Sequence, residues 1–82
     1  MKVSVLGGGS WGTALAIILV NNGHDVTIWE YNKKYFKDLK KYYENKVFLP
    51  GVKIPKEIEI TNSLKDAASN KHMIVIATPT QF

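Results

Sequence analysis

Lys2-Val3-Ser4-Val5-Leu6-Gly7-Gly8-Gly9-Ser10-Trp11-Gly12-Thr13-Ala14-Leu15-Ala16 is the stretch that decides the fold of this chain. Val3 to Leu6 is short, rich in β-branched residues and stopped abruptly by glycine, so residues 2–6 read as a buried strand. Beyond the glycines Ser10 is placed to cap a helix, which runs through an Ala- and Leu-rich segment to about Val20 and stops at Asn21-Asn22-Gly23. That helix is apolar nearly all round, which predicts burial. Gly7, Gly9 and Gly12 satisfy G-x-G-x-x-G between strand and helix, and the acidic residue that this pattern needs stands at Glu30. The three motif glycines serve different physical ends. Gly7 makes the tight turn, Gly9 lets backbone approach a pyrophosphate, and Gly12 lets the helix pack near the strand. Gly8 occupies a variable position, where its extra freedom carries an entropic cost and no evident function.

Working outward, residues 25–30 form a second strand around Val26, Ile28 and Trp29, and Asn32 caps a second helix that runs to about Tyr43. Tyr35, Leu39 and Tyr42 give that helix a narrow core stripe, with Lys33, Lys37 and Lys40 on another face. Pro50-Gly51 and Pro55 mark an irregular loop; residues 57–61 then alternate as a third strand, and Asn62 or Ser63 opens a short helix through Ser69. Residues 73–77, Met-Ile-Val-Ile-Ala, are continuously apolar, the pattern of a strand covered on both faces, and Thr78-Pro79 ends it. The order β-α-β-α-β-α-β predicts an α/β fold: a Rossmann-like doubly wound parallel sheet, partial at four strands, in the order 3-2-1-4. The most apolar strand is then left at an open edge, which folded proteins normally avoid. The 82 residues therefore read as the N-terminal portion of a dinucleotide-binding domain, with the substrate domain absent from the chain.

At this length one small core is the limit. Hydrophobic residues at 45% and charged residues at 22% set disorder and low complexity aside. Cysteine is absent, which removes thiol nucleophiles and thiolate metal sites. The net charge of +4 suggests an anionic partner, yet all eleven basic residues are Lys, so the planar fork that reads base edges is missing and a nucleic-acid partner is not expected. The longest apolar run, Ala14 to Val20, is too short to span a membrane, and Gly7-Gly8-Gly9 interrupts what could otherwise pass for a signal peptide. The expectation is a cytoplasmic protein without a membrane partner.

Three segments carry a more specific likeness: Gly7-Gly8-Gly9-Ser10-Trp11-Gly12-Thr13-Ala14-Leu15-Ala16, Asn22-Gly23-His24-Asp25-Val26 and Phe48-Leu49-Pro50-Gly51-Val52, together with the closing Pro79-Thr80-Gln81-Phe82. With them the chain resembles the N-terminal part of NAD(P)-dependent glycerol-3-phosphate dehydrogenases over its whole length. The 6-phosphogluconate, ketopantoate and hydroxyacyl dehydrogenases share the glycines but generally lack the Leu-Pro-Gly loop in this place. The resemblance implies a parent oxidoreductase, a homodimer, that interconverts sn-glycerol 3-phosphate and dihydroxyacetone phosphate. It also implies a role in phospholipid biosynthesis and carbohydrate metabolism. A non-catalytic nucleotide-binding module or another dehydrogenase of the related types remains the alternative.

The motif itself assigns Gly7, Gly9 and Gly12 to the cofactor-binding turn and Glu30 to the adenosine ribose hydroxyls; on matching positions the resemblance adds that Ser10 and Trp11 contact the cofactor around its phosphates, Tyr31 lies beside the adenine, and Pro79 and Phe82 border the cofactor cleft after strand 4. The cofactor is NAD, with NADP as the alternative. Many bacterial members carry a glycine and then a basic residue where this chain has Glu30-Tyr31, and a carboxylate there repels the extra phosphate of NADP. Lys33 and Lys34 argue mildly the other way but read as a solvated face. Trp11 has a core reading and Tyr31 a surface reading as their plainer alternatives. No catalytic residue is assigned, because the lysine that serves the family lies beyond Phe82. His24 and His72 both precede strands, the wrong ends for ligand binding in an open α/β sheet, and no metal site is expected.

Overall fold

The computed structural model describes residues 1–77. Its elements are β1 (Lys2–Leu6), α1 (Ser10–Asn21), β2 (Asp25–Trp29), α2 (Lys33–Tyr42), β3 (Glu59–Thr61), α3 (Leu64–Ala68) and β4 (Met73–Ile76). The strands form one parallel sheet in the order β3-β2-β1-β4, as the alternating elements predict. β1 lies between two partners, with Val5 opposite Ile28 on one side and Val75 on the other.

The two sheet faces differ because side chains alternate along each strand. Val5 of β1 and Val26 and Ile28 of β2 point to one face, where they form a buried cluster with Ala16 of α1, Leu39 of α2 and Ile54, Ile58 and Ile60. Each Val, Leu and Ile of the cluster contributes about 1.5–3 kcal/mol by leaving water. The other face carries Ser4 and Thr27, both buried; the Ser4 hydroxyl donates to the Ala67 carbonyl of α3, and Thr27 donates to Glu59 at 3.2 Å. α1 and α2 thus cover the apolar face and α3 the more polar one.

Several local expectations change. Gly9, not Ser10, is the N-cap of α1, and no side chain caps that end. Within α1 only Gly12, Thr13 and Ala16 are buried, whereas Trp11 and Ile18 are more than half exposed. The helix meets the sheet along one side, so its all-round apolarity does not translate into all-round burial. The stripe on α2 is Phe36, Leu39 and Tyr43 rather than Tyr35, Leu39 and Tyr42; Tyr42 is exposed, while Tyr43 turns into the left-handed region (φ 48°) to end the helix and packs on the core. β3 starts at Glu59 because a turn closed by Ile58 N–H to Pro55 C=O occupies the residues before it. Ser63 caps α3, accepting from Asp66 N–H. β4 is not covered on both faces: Met73, Ile74 and Ile76 are exposed at the sheet edge.

Candidate functional site

Parallel strands bring their carboxyl ends to one side of the sheet, and there the turn after β1 meets the turn after β2. Gly7 has φ 124°, a region that admits glycine, and its N–H donates to Trp29 C=O at 2.8 Å. The chain can then enter α1 with Gly12 directly against it: a Cβ on Gly12 would lie 1.9 Å from the Gly7 carbonyl oxygen. Gly7 thus makes the turn and Gly12 the close packing, as the motif requires of them. Gly9 is different, since a Cβ there would meet no atom within 4 Å. Its constraint comes from the open side, where a ligand would approach.

Gly8 is not idle. Its N–H donates to Glu30 Oε1 at 2.8 Å, and a Cβ on it would crowd that same oxygen and Leu39 Cδ1. Glu30 follows β2 directly and is 7% exposed. Its Oε2 accepts from Asn32 N–H at 2.9 Å, so one carboxylate ties the glycine turn to the start of α2. A carboxylate has about four acceptor positions, and two backbone donors leave it capacity for hydroxyl donors.

Around the turn opens a cleft of about 650 Å³, bordered by Gly7 to Trp11, Glu30 and a set of aromatic rings. Trp11 and Tyr31 reach it from exposed positions, and Tyr31 stacks on Trp29 with ring centres 5.9 Å apart. Tyr35 and Phe48 meet edge to face at 5.2 Å and form another part of the wall. The structure thus brings Gly7, Gly9, Ser10, Trp11, Glu30 and Tyr31 to one cleft, while Gly12 packs behind the turn against Gly7. Trp11 takes neither a core position nor an isolated surface one; Tyr31 is exposed yet belongs to a cleft wall. Pro79 and Phe82 lie outside the described residues. His24 and His72 stay at the opposite strand ends, His72 Nδ1 accepting from Lys2 N–H at 2.9 Å.

Composition-based reading of the glycine turn does not find Trp29, Tyr35, Phe48 or Asn45. Phe48 sits in the Phe-Leu-Pro-Gly segment, so its motif is visible but its destination is not. Asn45 is 4% exposed and bridges the loop to the turn: its Nδ2 donates to Gly8 C=O and to Thr13 Oγ1, and its Oδ1 accepts from Phe48 N–H. The same loop is closed by Glu44, which pairs with Lys53 at 3.1 Å and accepts from Gly51 N–H. The Gly51 N–H and then Lys53 hold the Glu44 carboxyl below its ordinary value.

The site fits a dinucleotide. α2 and α3 have side-chain caps in Asn32 and Ser63, whereas the α1 N-terminus has neither a side-chain cap nor an acidic residue in its first turn. Its free N–H groups and partial positive charge face the cleft beside Gly9, where a pyrophosphate can be held by backbone alone. Glu30 stands within the same cleft at the distance of the next strand, and flat rings flank it. Among the described residues no cluster of His, Asp and Glu could hold a metal ion, and no helix is long and apolar enough to cross a membrane.

A family model described as NAD-dependent glycerol-3-phosphate dehydrogenase N-terminus matches residues 2–82. Glycerol-3-phosphate dehydrogenase (NAD(P)+) of Fusobacterium nucleatum is 46% identical over 99% of the chain, and that of Thermoanaerobacter sp. strain X514 is 49% identical over 98%. The chain spans about a quarter of the length of each, 24%. Among solved structures, glycerol-3-phosphate dehydrogenase of Coxiella burnetii superposes with a TM-score of 0.86 at 31% identity, covering 92% of this chain and 23% of that one.

Proposed function

The chain belongs to the family of NAD-dependent glycerol-3-phosphate dehydrogenase N-termini, and from that premise we propose that residues 1–82 are the N-terminal, cofactor-binding portion of an oxidoreductase. The full-length protein interconverts sn-glycerol 3-phosphate and dihydroxyacetone phosphate with NAD(H). The observation that carries this reading is the uncapped α1 N-terminus beside Gly9, in one cleft with the Glu30 carboxylate.

In this reading the backbone N–H groups at Gly9, Ser10 and Trp11 hold the pyrophosphate, and Glu30 accepts from the adenosine ribose hydroxyls. Tyr31 and Trp11 flank the bound molecule, and Pro79 and Phe82 border it from the segment after β4. When bound, the nicotinamide supplies the hydride-transfer chemistry. The residues bordering the cleft orient it and exclude water along one side; the Glu30 carboxylate there is engaged by Gly8 N–H and Asn32 N–H, and no lysine or histidine borders the cleft among the described residues. The Glu30 carboxylate disfavours an added 2′-phosphate, which supports NAD over NADP. A homodimeric, cytoplasmic enzyme acting on a small phosphorylated substrate, with neither nucleic acid nor membrane as partner, completes the proposal.

Titration of the full-length protein with NADH and NADPH, followed by dihydroxyacetone phosphate-dependent oxidation of NADH, tests it. Tighter binding of NADH and substrate-dependent turnover are expected. Failure to bind either nucleotide would refute the assignment.

A further inference from the structure

Gly8 is held from outside the glycine turn at both of its backbone polar groups. Its N–H donates to Glu30 Oε1, and its carbonyl oxygen accepts from the Asn45 amide and, at 3.3 Å, from the Thr13 hydroxyl. Asn45 and Thr13 are buried and joined to one another, Nδ2 to Oγ1, at 3.0 Å. The orientation of the Asn45 amide follows from chemistry: Phe48 N–H can only donate to it and Gly8 C=O can only accept from it. A trans peptide is planar, and its C=O and N–H point in opposite directions. Drawing the Gly8 carbonyl inward therefore turns the Gly9 N–H outward, to the open side of the turn. The peptide between Gly8 and Gly9 has no Cβ on either side, so sterics alone do not hold it. Turned over, it would present a carbonyl oxygen to a phosphate.

We propose that Asn45 is a positioning residue for dinucleotide binding. Through the Gly8 carbonyl, and together with Thr13, it fixes the Gly8–Gly9 peptide so that the Gly9 N–H faces the pyrophosphate. This role rests on the function proposed above and deepens it. The residue lies 37 positions beyond Gly8, in a loop outside the glycine motif, and the same side chain carries Phe48 to the cleft wall.

The test compares full-length wild type, Asn45→Ala, Asn45→Asp and Thr13→Val for binding of NADH, ADP-ribose and adenosine, the last by ligand-observed NMR. Of the three hydrogen bonds that Asn45→Ala removes, loss of the one that holds the Gly8 carbonyl predicts a roughly five- to tenfold weaker affinity for NADH and ADP-ribose. Adenosine, which lacks phosphate, stays within about twofold, and KM for NADH rises while kcat holds, as expected for lost cofactor binding. Asn45→Asp keeps the acceptor for Phe48 N–H but sets carboxylate oxygen against carbonyl oxygen, and weakens NADH at least as much. Unchanged NADH affinity in Asn45→Ala overturns the role; so does an equal loss for adenosine, which would make Asn45 only a support for the wall. Should Asn45→Ala not fold, Thr13→Val decides by the same contrast: a loss confined to the phosphate-bearing ligands supports the role, and no loss overturns it. Wild type that binds no NADH sinks the dinucleotide assignment and this role with it, whereas binding wild type with an unimpaired variant sinks the role alone.

Discussion

Replacing Gly12 by alanine separates packing from binding when it is set beside the same change at Gly9. At Gly12 the new Cβ would stand 1.9 Å from the Gly7 carbonyl oxygen, backbone against backbone. Carbon–oxygen contacts settle at about 3.3 Å, so α1 and the glycine turn must part by roughly 1.4 Å. Overpacking costs about 1–3 kcal/mol, and a contact with no flexible side chain to give way belongs at the upper end. Alanine returns about 1 kcal/mol of helix propensity, leaving a net loss of about 2 kcal/mol. The displacement also carries the first N–H groups of α1 out of hydrogen-bonding range of a pyrophosphate; two charge-assisted bonds at about 1.5–3 kcal/mol each make the loss of NADH affinity at least on the order of a hundredfold. At Gly9 φ is −73° and the Cβ meets nothing, so Gly9→Ala should keep its stability within about 0.5 kcal/mol and lose cofactor only. Thermal midpoints and NADH titrations of the two full-length variants provide the readout. Wild-type stability and affinity in Gly12→Ala, or unimpaired NADH binding in Gly9→Ala, would refute the reasoning.

Glu30→Ala should narrow the preference for NADH over NADPH and also lower the thermal midpoint, because Gly8 N–H and Asn32 N–H both lose their acceptor, at about 1–3 kcal/mol for a buried donor left unpaired; equal or better binding of NADPH by wild type would contradict the assigned preference. The Glu44 carboxyl is held below its ordinary value of 4.5, so it supports the loop above that pH, and the support is lost as pH falls through the lowered value. Glu44→Gln should therefore melt earlier than wild type at neutral pH and converge with it in acid; parallel curves throughout would show that the pair with Lys53 adds nothing. Residues 1–82 alone should oxidise NADH no faster with dihydroxyacetone phosphate than without it, because no lysine or histidine borders the cleft among the described residues. Substrate-dependent turnover by that chain would place the proton-handling group within it.

The strand order was legible because the apolar runs and their glycine stops are local, and parallel neighbours leave few ways to connect them. The glycine turn was legible for the same reason, since backbone geometry demands glycine at Gly7 and at Gly12. Gly8 was not, since its burial depends on Glu30 and Leu39, which come near only after β2 has paired with β1 and α2 has docked. Nor was Asn45, whose partners Gly8 and Thr13 are remote in sequence. The helix stripes erred where periodicity alone had to choose among aromatic residues: Tyr42 and Tyr43 are adjacent, and the left-handed turn at Tyr43 decides which of them faces the core.

The middle place of β1 in the sheet gives the fold a timetable. β1 emerges first during synthesis, yet the strand that closes its second side, β4, begins 70 residues after Val3, at Met73. At about 5–20 residues per second, that interval lasts roughly 4–14 s. Throughout it Val3-Ser4-Val5-Leu6 presents a row of unpaired N–H and C=O groups beside apolar side chains, even when β2 has already joined it. An unpaired edge of this kind is a template for strands of other chains. A slow codon stretch or a pause before residue 73 should therefore cost yield through aggregation.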